Sequence, residues 1–213
     1  MTPGAGLCGL AKPCCGAMSN RRVLLLLAAF VVGAVIIVAS ALTLLPPGPG
    51  TVTSQVTIGG PYELIAQDGQ AVTQETYAGS PTLVFFGFTH CPDICPTALY
   101  EMSQLFEALG PDARKATGLF ITVDPERDTP EVLKAYLGSF HPSIQGLSGT
   151  PEQIAAVTRA YRAYAKKVPT QGDDYTMDHT AIVYLMDKDG RFVAPFNLKR
   201  PPEEAAAELR RYF

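Results

Sequence analysis

The segment VLLLLAAFVVGAVIIVASALTLL, from Val23 to Leu45, contains no charged residue and constrains the fold of this chain more than any other segment. A helix rises about 1.5 Å per residue, so this segment is long enough to cross a hydrocarbon core roughly 30 Å thick. Basic side chains precede it at Lys12, Arg21 and Arg22, and no acidic residue does. By the positive-inside rule we expect the N-terminus in the cytoplasm and the rest of the chain exported.

A cleavable signal peptide is the alternative, since Ala39-Ser40-Ala41 resembles a cleavage site. The apolar segment is longer than the roughly 7–15 residues of a normal signal core, which favours an uncleaved anchor. The stretch PPGPG then ends the helix and begins a linker. We therefore expect a cytoplasmic tail, a transmembrane anchor, a linker and one exported domain, at residues 1–22, 23–45, 46–54 and 55–213.

The exported part of the chain is acidic. Three of the 17 basic residues precede the anchor, which leaves 14 basic against 20 acidic residues and a formal charge of −6. This charge argues against a nucleic-acid partner, because phosphates require a basic surface. It fits a partner that is basic, or one that is recognised without regard to charge.

Only two of the five cysteines, Cys91 and Cys95, lie in the exported part. A disulfide-stapled scaffold uses more cysteines and spreads them, so one close pair in an oxidising compartment indicates chemistry. Cys8, Cys14 and Cys15 precede the anchor, on the reducing side. We interpret them as part of an unstructured tail, because a cytoplasmic metal site there lacks a histidine or a second well-spaced pair.

Apolar patterns and turn signals predict alternating strands and helices in the exported part. Short strands are expected in residues 55–65, followed by a hairpin turn at Asp68-Gly69. Buried strands are expected at PTLVFFGF and GLFITVDPE, and a short strand at IQGLSG. VPTQGDDYTMDH is expected to be a polar loop, and TAIVYLMDKDGRFVAPF a hairpin.

Each predicted helix begins at a proline, and the first three have a residue suited to the cap position just before it. The first starts at Pro96, with Cys95 near its cap. The next two start at Pro130 and Pro151, with caps at Asp128 or Thr129 and at Thr150. PPEEAAAELRRYF is a closing helix. The result is an α/β sandwich whose sheet is parallel at first and is completed by an antiparallel hairpin.

Cys91 and Cys95 lie where the first buried strand is followed by a helix. Ligands of open α/β sheets collect at the carboxyl ends of strands, and a helix N-terminus stabilises a thiolate. We therefore expect the pair to be exposed, partly ionised and reactive. Three intervening residues allow a disulfide, and they also let both sulfurs converge on a metal. A metal would need a third ligand.

Three histidines are candidates for that ligand. His90 adjoins Cys91, so strand alternation points its side chain away, and His141 is expected to be exposed in a loop. His179 directly precedes the next predicted strand, and the loop entering that strand packs beside the first strand–helix turn in a fold of this type. His179 is therefore the preferred ligand, with a purely structural histidine as the alternative. Asp178 is expected to orient the loop or to hydrogen-bond to a ligand.

Two thiolates and one imidazole form a soft site. Cu(I) prefers thiolates, and imidazole accepts either copper state, so the ligand set favours copper. Zinc is chemically possible, but a structural zinc site normally has four protein ligands.

Three motifs, FGFTHCPDICPTAL, FITVDPERDTP and DYTMDHTAIVYLMDKDGRF, resemble in their order the SCO/SenC family from about Val56 to Phe213. This is a family of membrane-anchored copper chaperones that help assemble cytochrome c oxidase. The resemblance implies a thioredoxin-like fold with an added N-terminal β element, preceded by a single transmembrane helix. It also implies that Cys91, Cys95 and His179 bind one copper ion, as Cu(I) or Cu(II).

The family delivers copper to the dinuclear copper site of cytochrome c oxidase subunit II, or reduces the cysteines of that site. Another periplasmic copper carrier or a thiol reductant is a further expected partner. The tail has no run of arginine typical of a mitochondrial presequence, so we expect a bacterial inner-membrane protein whose C-terminal domain is periplasmic. Asp124, Pro125, Arg127 and Asp128 fall in the family's acidic motif. They support the face of the site or dock a partner, unless they are only a strand end and helix cap.

Three other functions use the same cysteines. A thiol–disulfide oxidoreductase would attack with Cys91 and resolve the mixed disulfide with Cys95, which leaves the pair as a disulfide when oxidised. A peroxidase would cycle through a sulfenic acid and a disulfide. A redox or copper sensor would signal through a partner. The first two give His179 no role, so the copper chaperone is the preferred hypothesis.

Overall fold

The computed structural model describes residues 20–44, 57–172 and 174–213, with side chains in the first range up to residue 41. The chain divides into two compact units, Met1–Ser54 and Gln55–Phe213. Helix α1 of the first unit spans Asn20–Leu44 and is long and apolar enough to be a candidate membrane span. The tail cysteines, the predicted linker and residues 55–56 lie outside the described residues.

The second unit is built around a seven-stranded mixed sheet. Its strands are β1 Glu63–Ala66, β2 Ala71–Thr73, β3 Thr82–Gly87, β4 Thr117–Thr122, β5 Ile144–Ser148, β8 Val183–Met186 and β9 Phe192–Phe196. They are ordered β2-β1-β5-β4-β3-β8-β9 across the sheet. β4 pairs in parallel with β3 and β5, whereas β8 and β9 add an antiparallel hairpin. The predicted mixed sheet is therefore confirmed.

The two central strands, β3 and β4, have almost no exposed residue. All six residues of β3 are buried, and only the first residue of β4 is partly exposed. A strand covered on both faces needs a continuous apolar sequence, and TLVFFG and GLFIT provide one. Pro195 lies in β9, which is an edge strand and therefore tolerates a residue without an N–H.

Four helices accompany the sheet: α2 Ile94–Leu109, α3 Pro130–Leu137, α4 Pro151–Ala160 and α5 Pro202–Leu209. α2 packs against α5, and α3 packs on β5. Thr129 caps α3, because its hydroxyl accepts the N–H of Val132 at 3.4 Å. Thr150 caps α4 and exchanges hydrogen bonds with Gln153. Both predicted caps are confirmed.

α2 begins two residues earlier than the sequence predicts, at Ile94, with Asp93 at its cap position. Pro96 is therefore the third helical residue instead of the first. A proline is tolerated there because the first N–H groups of a helix have no partner within it. The earlier start places Cys95 inside the first turn.

The strand predicted at the start of residues 55–65 is wrong for the part that the structure describes. Residues 57–62 are not in a strand, and the first strand begins at Glu63. Gly59 has a φ of +90° and donates its N–H to the carbonyl of Ala160 at 2.9 Å. Gly59 thus joins the segment to the end of α4.

The stretch predicted to be a polar loop is largely a β-hairpin, formed by β6 Ala165–Pro169 and β7 Tyr175–His179. It forms a two-stranded sheet of its own beside the seven-stranded sheet. Its residues are partly or fully exposed, so neither face carries the apolar alternation that predicts a strand. This hairpin ends at His179.

Candidate metal centre

The strand–helix junction after β3 presents the two cysteines. The N–H of Cys91 donates to the carbonyl of Phe88 at 3.2 Å, which closes the turn that leads into α2. Cys95 follows one helical turn later, and its N–H lies 3.4 Å from the sulfur of Cys91. Cys91 is half-buried and Cys95 is 0% exposed. Both are free thiols.

A glycine makes room for Cys95. A Cβ added at Gly87 would lie 2.9 Å from Cys95 Sγ and 2.6 Å from Cε2 of Phe120, both closer than ordinary van der Waals contact. The sulfur therefore packs directly on the backbone of β3. The sequence signal for this close approach is a glycine within a run of buried β-formers.

His179 reaches the cysteines from the end of β7. Its Nε2 lies 3.6 Å from Cys95 Sγ, and its Nδ1 lies 3.1 Å from the carbonyl oxygen of Thr180. A carbonyl only accepts, so Nδ1 carries the proton and Nε2 keeps a lone pair for a metal. Phe85 and Phe88 pack edge-on to the imidazole, with ring centroids 6.3 and 5.7 Å away.

The ligand atoms of Cys91, Cys95 and His179 all lie within 4.8 Å of one another. Metal–sulfur bonds of about 2.3 Å and metal–nitrogen bonds of about 2.0 Å require only small adjustments from this arrangement. Two sulfurs and one imidazole nitrogen suit a soft ion such as Cu(I). The structure thus brings together all three residues selected from the sequence.

The expectation of an exposed, partly ionised cysteine pair is wrong for Cys95. Burial raises the pKa of its thiol well above the ordinary value, and the nearby Asp128 carboxylate raises it further. Removal from water disfavours the thiolate more than the helix N-terminus favours it. Cys95 must therefore release a proton when it binds a metal.

A family model described as SCO1/SenC matches residues 50–213 of this chain. The chain belongs to the SCO1/SenC family. The SCO2-like protein RP587 of Rickettsia prowazekii is 43% identical over 146 residues, which cover 68% of this chain and 71% of the relative. The mitochondrial SCO1 homolog of Homo sapiens is 42% identical over 158 residues, which cover 71% of this chain and 52% of the relative.

Solved structures of the family share the fold. Copper-bound ScoI of Bradyrhizobium japonicum is 63% identical, with a TM-score of 0.72, and the match covers 73% of this chain and 99% of that one. Copper-bound yeast Sco1 is 36% identical, with a TM-score of 0.67, and the match covers 73% and 88%. This SCO1/SenC chain thus has the thioredoxin-like fold that the sequence resemblance implies.

Asp128 of this SCO1/SenC chain holds the turn that leads from β3 to Cys91, which we call the cysteine turn. Its buried carboxylate accepts the N–H of Thr89 at 3.0 Å, the hydroxyl of Thr89 at 2.6 Å and the hydroxyl of Thr122 at 2.6 Å. These bonds tie the residues before Cys91 to the end of β4. Thr129 caps α3, so Asp128 is not the helix cap, and its carboxylate instead holds these two threonines. Sequence reasoning missed both threonines.

The other two histidines lie away from the ligand cluster. His90 lies outside the cluster, as predicted; it is exposed, and its Nδ1 lies 3.1 Å from the hydroxyl of Thr89. His141 was expected to be exposed but is half-buried, because its ring stacks on Phe106 with centroids 5.4 Å apart. Asp178 is exposed and lies opposite Lys166 in the backbone register of β6 and β7.

Proposed function

We propose that this chain is a membrane-anchored copper chaperone that holds one copper ion through Cys91, Cys95 and His179. The observation that carries the proposal is the convergence of their three ligand atoms within 4.8 Å. Copper-bound relatives at 63% and 36% identity support copper as the ion. Copper is the cargo here, so the site must both hold the ion and release it.

Release proceeds by ligand exchange. Cys91 is the half-buried ligand and Cys95 the buried one, so an incoming thiolate meets the ion from the side of Cys91. The partner's thiolate binds copper as one ligand of this chain leaves, and the remaining ligands follow. Copper keeps its oxidation state, and each thiolate that is freed takes up a proton.

The proposed acceptor is the dinuclear copper site of cytochrome c oxidase subunit II. Residues 1–22 are proposed to be a cytoplasmic tail, 23–45 the anchor in a bacterial inner membrane, 46–54 the linker and 55–213 the periplasmic copper domain. Lys12, Arg21 and Arg22 before the apolar helix support this orientation. Alkaline phosphatase fused to the C-terminus should be active and the same enzyme fused to the N-terminus inactive; the reverse result would contradict the topology.

A second candidate function is reduction of the acceptor's cysteines. The half-buried Cys91 beside the buried Cys95 fits an attacking and a resolving thiol. Cys91 would attack the partner's disulfide and Cys95 would release the mixed disulfide. Two electrons and two protons pass to the partner, and Cys91 and Cys95 become a disulfide. The two functions are compatible, because reduced acceptor cysteines are required before copper can bind.

Copper affinity tests the proposal directly. Residues 46–213 contain the second compact unit. The solved chain of Bradyrhizobium japonicum ScoI, 99% of which is covered by the match, corresponds to only 73% of this chain, so a fragment of similar extent is a suitable sample. We would measure the Cu(I) affinity of this domain against a competing chelator. Cys91→Ser/Cys95→Ser should abolish binding, and His179→Ala should weaken it at least tenfold, about 1.4 kcal/mol.

His90→Ala is the matched control, because His90 adjoins the cysteine pair but lies outside the cluster. It should bind copper as the parent does. Equal affinity in His179→Ala and the parent would reduce the site to a bare dithiol. The oxidoreductase would then become the better proposal.

A further inference from the structure

The hairpin that carries His179 is attached to the domain by hydrogen bonds near both ends, by an ion pair from Lys167 to Glu126 at 2.8 Å and by packing of Met177 on the core. Its strands pair with each other and form a sheet separate from the seven-stranded sheet. At the His179 end, Thr180 and Tyr164 exchange two hydrogen bonds, from Thr180 N–H to the Tyr164 carbonyl at 2.9 Å and from Tyr164 N–H to the Thr180 hydroxyl at 2.8 Å. The position of the hairpin decides where His179 lies.

The other end of β7 is held by three residues, Asp124, Arg127 and Tyr175, which we call the Tyr175 latch. The hydroxyl of Tyr175 donates to Asp124 at 2.9 Å, and the Tyr175 carbonyl accepts from Arg127 Nη1 at 3.0 Å. The guanidinium carbon of Arg127 lies 3.7 Å from the centre of the Tyr175 ring, within cation–π range. Arg127 Nε also bonds to Asp124.

The latch lies in a buried setting. The Asp124 side chain is 1% exposed and that of Arg127 is 19% exposed. Arg127 Nη2 is buried without a hydrogen-bond partner among the described residues, so this side chain leaves one donor group unsatisfied. A buried ion pair is weak evidence for stability alone, because the cost of removing the charges from water can exceed their attraction. Here the pair seats Tyr175.

One turn, residues 124–128, contacts both the segment that leads to Cys91 and the strand that ends at His179. Asp124 and Arg127 hold the hairpin that ends at His179, and Asp128, four residues after Asp124, holds the Thr89 segment that leads to Cys91. The turn is itself closed by a hydrogen bond from the Asp128 N–H to the Asp124 carbonyl at 2.9 Å. Residues 124–128 therefore link the cysteine turn to the histidine strand.

We propose that Tyr175 and Arg127 are positioning residues that keep His179 Nε2 beside the cysteine sulfurs. The inference rests on the proposed copper function. Tyr175 and His179 are four residues apart on one strand, so they share a face and lie about 13 Å apart. Tyr175 does not touch copper. It acts on copper through His179, and loss of the latch leaves a site held by the cysteines.

A double-mutant cycle in residues 46–213 tests this route. Tyr175→Ala should lower Cu(I) affinity about tenfold, about 1.4 kcal/mol, because it removes the hydrogen bond to Asp124 and the ring that packs on Arg127. In the His179→Ala background the same change should have no further effect, because its target is already absent. Equal effects of Tyr175→Ala in both backgrounds would overturn the proposal. A Cu(I) affinity of Tyr175→Ala equal to that of the parent would also overturn the proposal.

Tyr175→Phe is the milder variant, because it keeps the ring over Arg127 and removes one hydrogen bond; a loss of about fivefold is expected. Tyr164→Phe removes a hydroxyl from the other end of the hairpin, and its Cu(I) affinity should equal that of the parent. Electron paramagnetic resonance of the Cu(II) form gives a second readout. Nitrogen hyperfine coupling from His179 should weaken in Tyr175→Ala and persist in Tyr164→Phe, which a general loss of stability would not produce.

The apo protein separates the two proposals. If His179→Ala binds copper like the parent, the three-ligand site is wrong. Amide hydrogen exchange of the metal-free protein still tests whether the Tyr175 latch holds β7. Exchange at the β7 amides of Tyr175→Ala should be at least tenfold faster than in Tyr164→Phe, while exchange in β3 and β4 stays unchanged. Unchanged protection of β7 would overturn the latch.

Discussion

Gly87 offers the sharpest test of how the fold builds the site. A methyl group at this position would lie 2.6 and 3.0 Å from two carbons of the Phe120 ring and 2.9 Å from Cys95 Sγ. Phe120 and Cys95 are both 0% exposed, and the Phe120 ring also packs on Phe85 and Tyr136. Neither neighbour has free space to move into, so Gly87→Ala must displace the ring, the sulfur or the strand.

Overpacking of a filled core costs about 1–3 kcal/mol, and we expect about 2 kcal/mol here because two close contacts arise together. For a domain of this size, this corresponds to a fall in Tm of about 4–8 °C. Urea unfolding of the apo domain measures the free energy. Cu(I) competition should show at least a tenfold loss of affinity, because Cys95 Sγ leaves its place beside His179 Nε2.

Gly118→Ala is the matched control. A Cβ at Gly118, on β4, would lie 2.6 Å from Met102 Sδ and 3.2 Å from side-chain carbons of Ile144 and Phe106. This variant should also lose about 1–3 kcal/mol of stability. Its copper affinity should stay at the parent value. If Gly87→Ala retains parent copper affinity, then the close approach of Cys95 to β3 does not position the sulfur, and the reasoning fails.

Three further outcomes are expected. Asp128→Asn should lower the free energy of unfolding, measured in urea, by about 2–4 kcal/mol, because a buried carboxylate that accepts three hydrogen bonds loses its charge. Asp178→Asn, at an exposed position, is the control, and an equal loss in the two variants would contradict this expectation. Iodoacetamide should modify Cys91 of the apo protein before the buried, protonated Cys95, as read by peptide mass spectrometry, and the opposite order would refute the assignment. Because burial raises the pKa of Cys95, copper must displace its proton, so in Cys91→Ser, which keeps Cys95 as the thiol ligand, apparent Cu(I) affinity should rise about tenfold per pH unit between pH 6 and 8; a flat profile in this variant would show that Cys95 is already a thiolate.

Local signals in the sequence were sufficient for most of the fold. Thr129 and Thr150 each precede a proline and cap the helices predicted from them. The continuous apolar sequences of β3 and β4 occupy the centre of the sheet. His179 is near the cysteines because β8, just after it, pairs with β3, just before Cys91. That proximity follows from the strand topology, so it could be predicted only from the expected fold and not from local sequence.

The errors arose where local signals were weak. The hairpin of β6 and β7 is too exposed for apolar alternation, and polar contacts to residues 124–128 hold it instead. Cys95 was expected to be reactive because a helix start at Pro96 would leave it at the cap. With the start at Ile94, Cys95 begins the buried stripe that continues through Leu99 and Met102. That spacing of four and three residues was a signal for burial.

The three separated motifs acquire a common explanation from these contacts. The first motif contains the cysteines and the third contains His179, while the second bonds to both through Asp128 and the Tyr175 latch. A copper carrier must hold its ion tightly and still let one ligand leave. If all three ligands were on one rigid element, none would leave without disturbing the core. On our proposal the strand that carries His179 is held by polar contacts outside the seven-stranded sheet, and the His179 ring meets Phe85 and Phe88 only edge-on. The histidine can therefore separate from copper while β3 and α2 keep the cysteines in place.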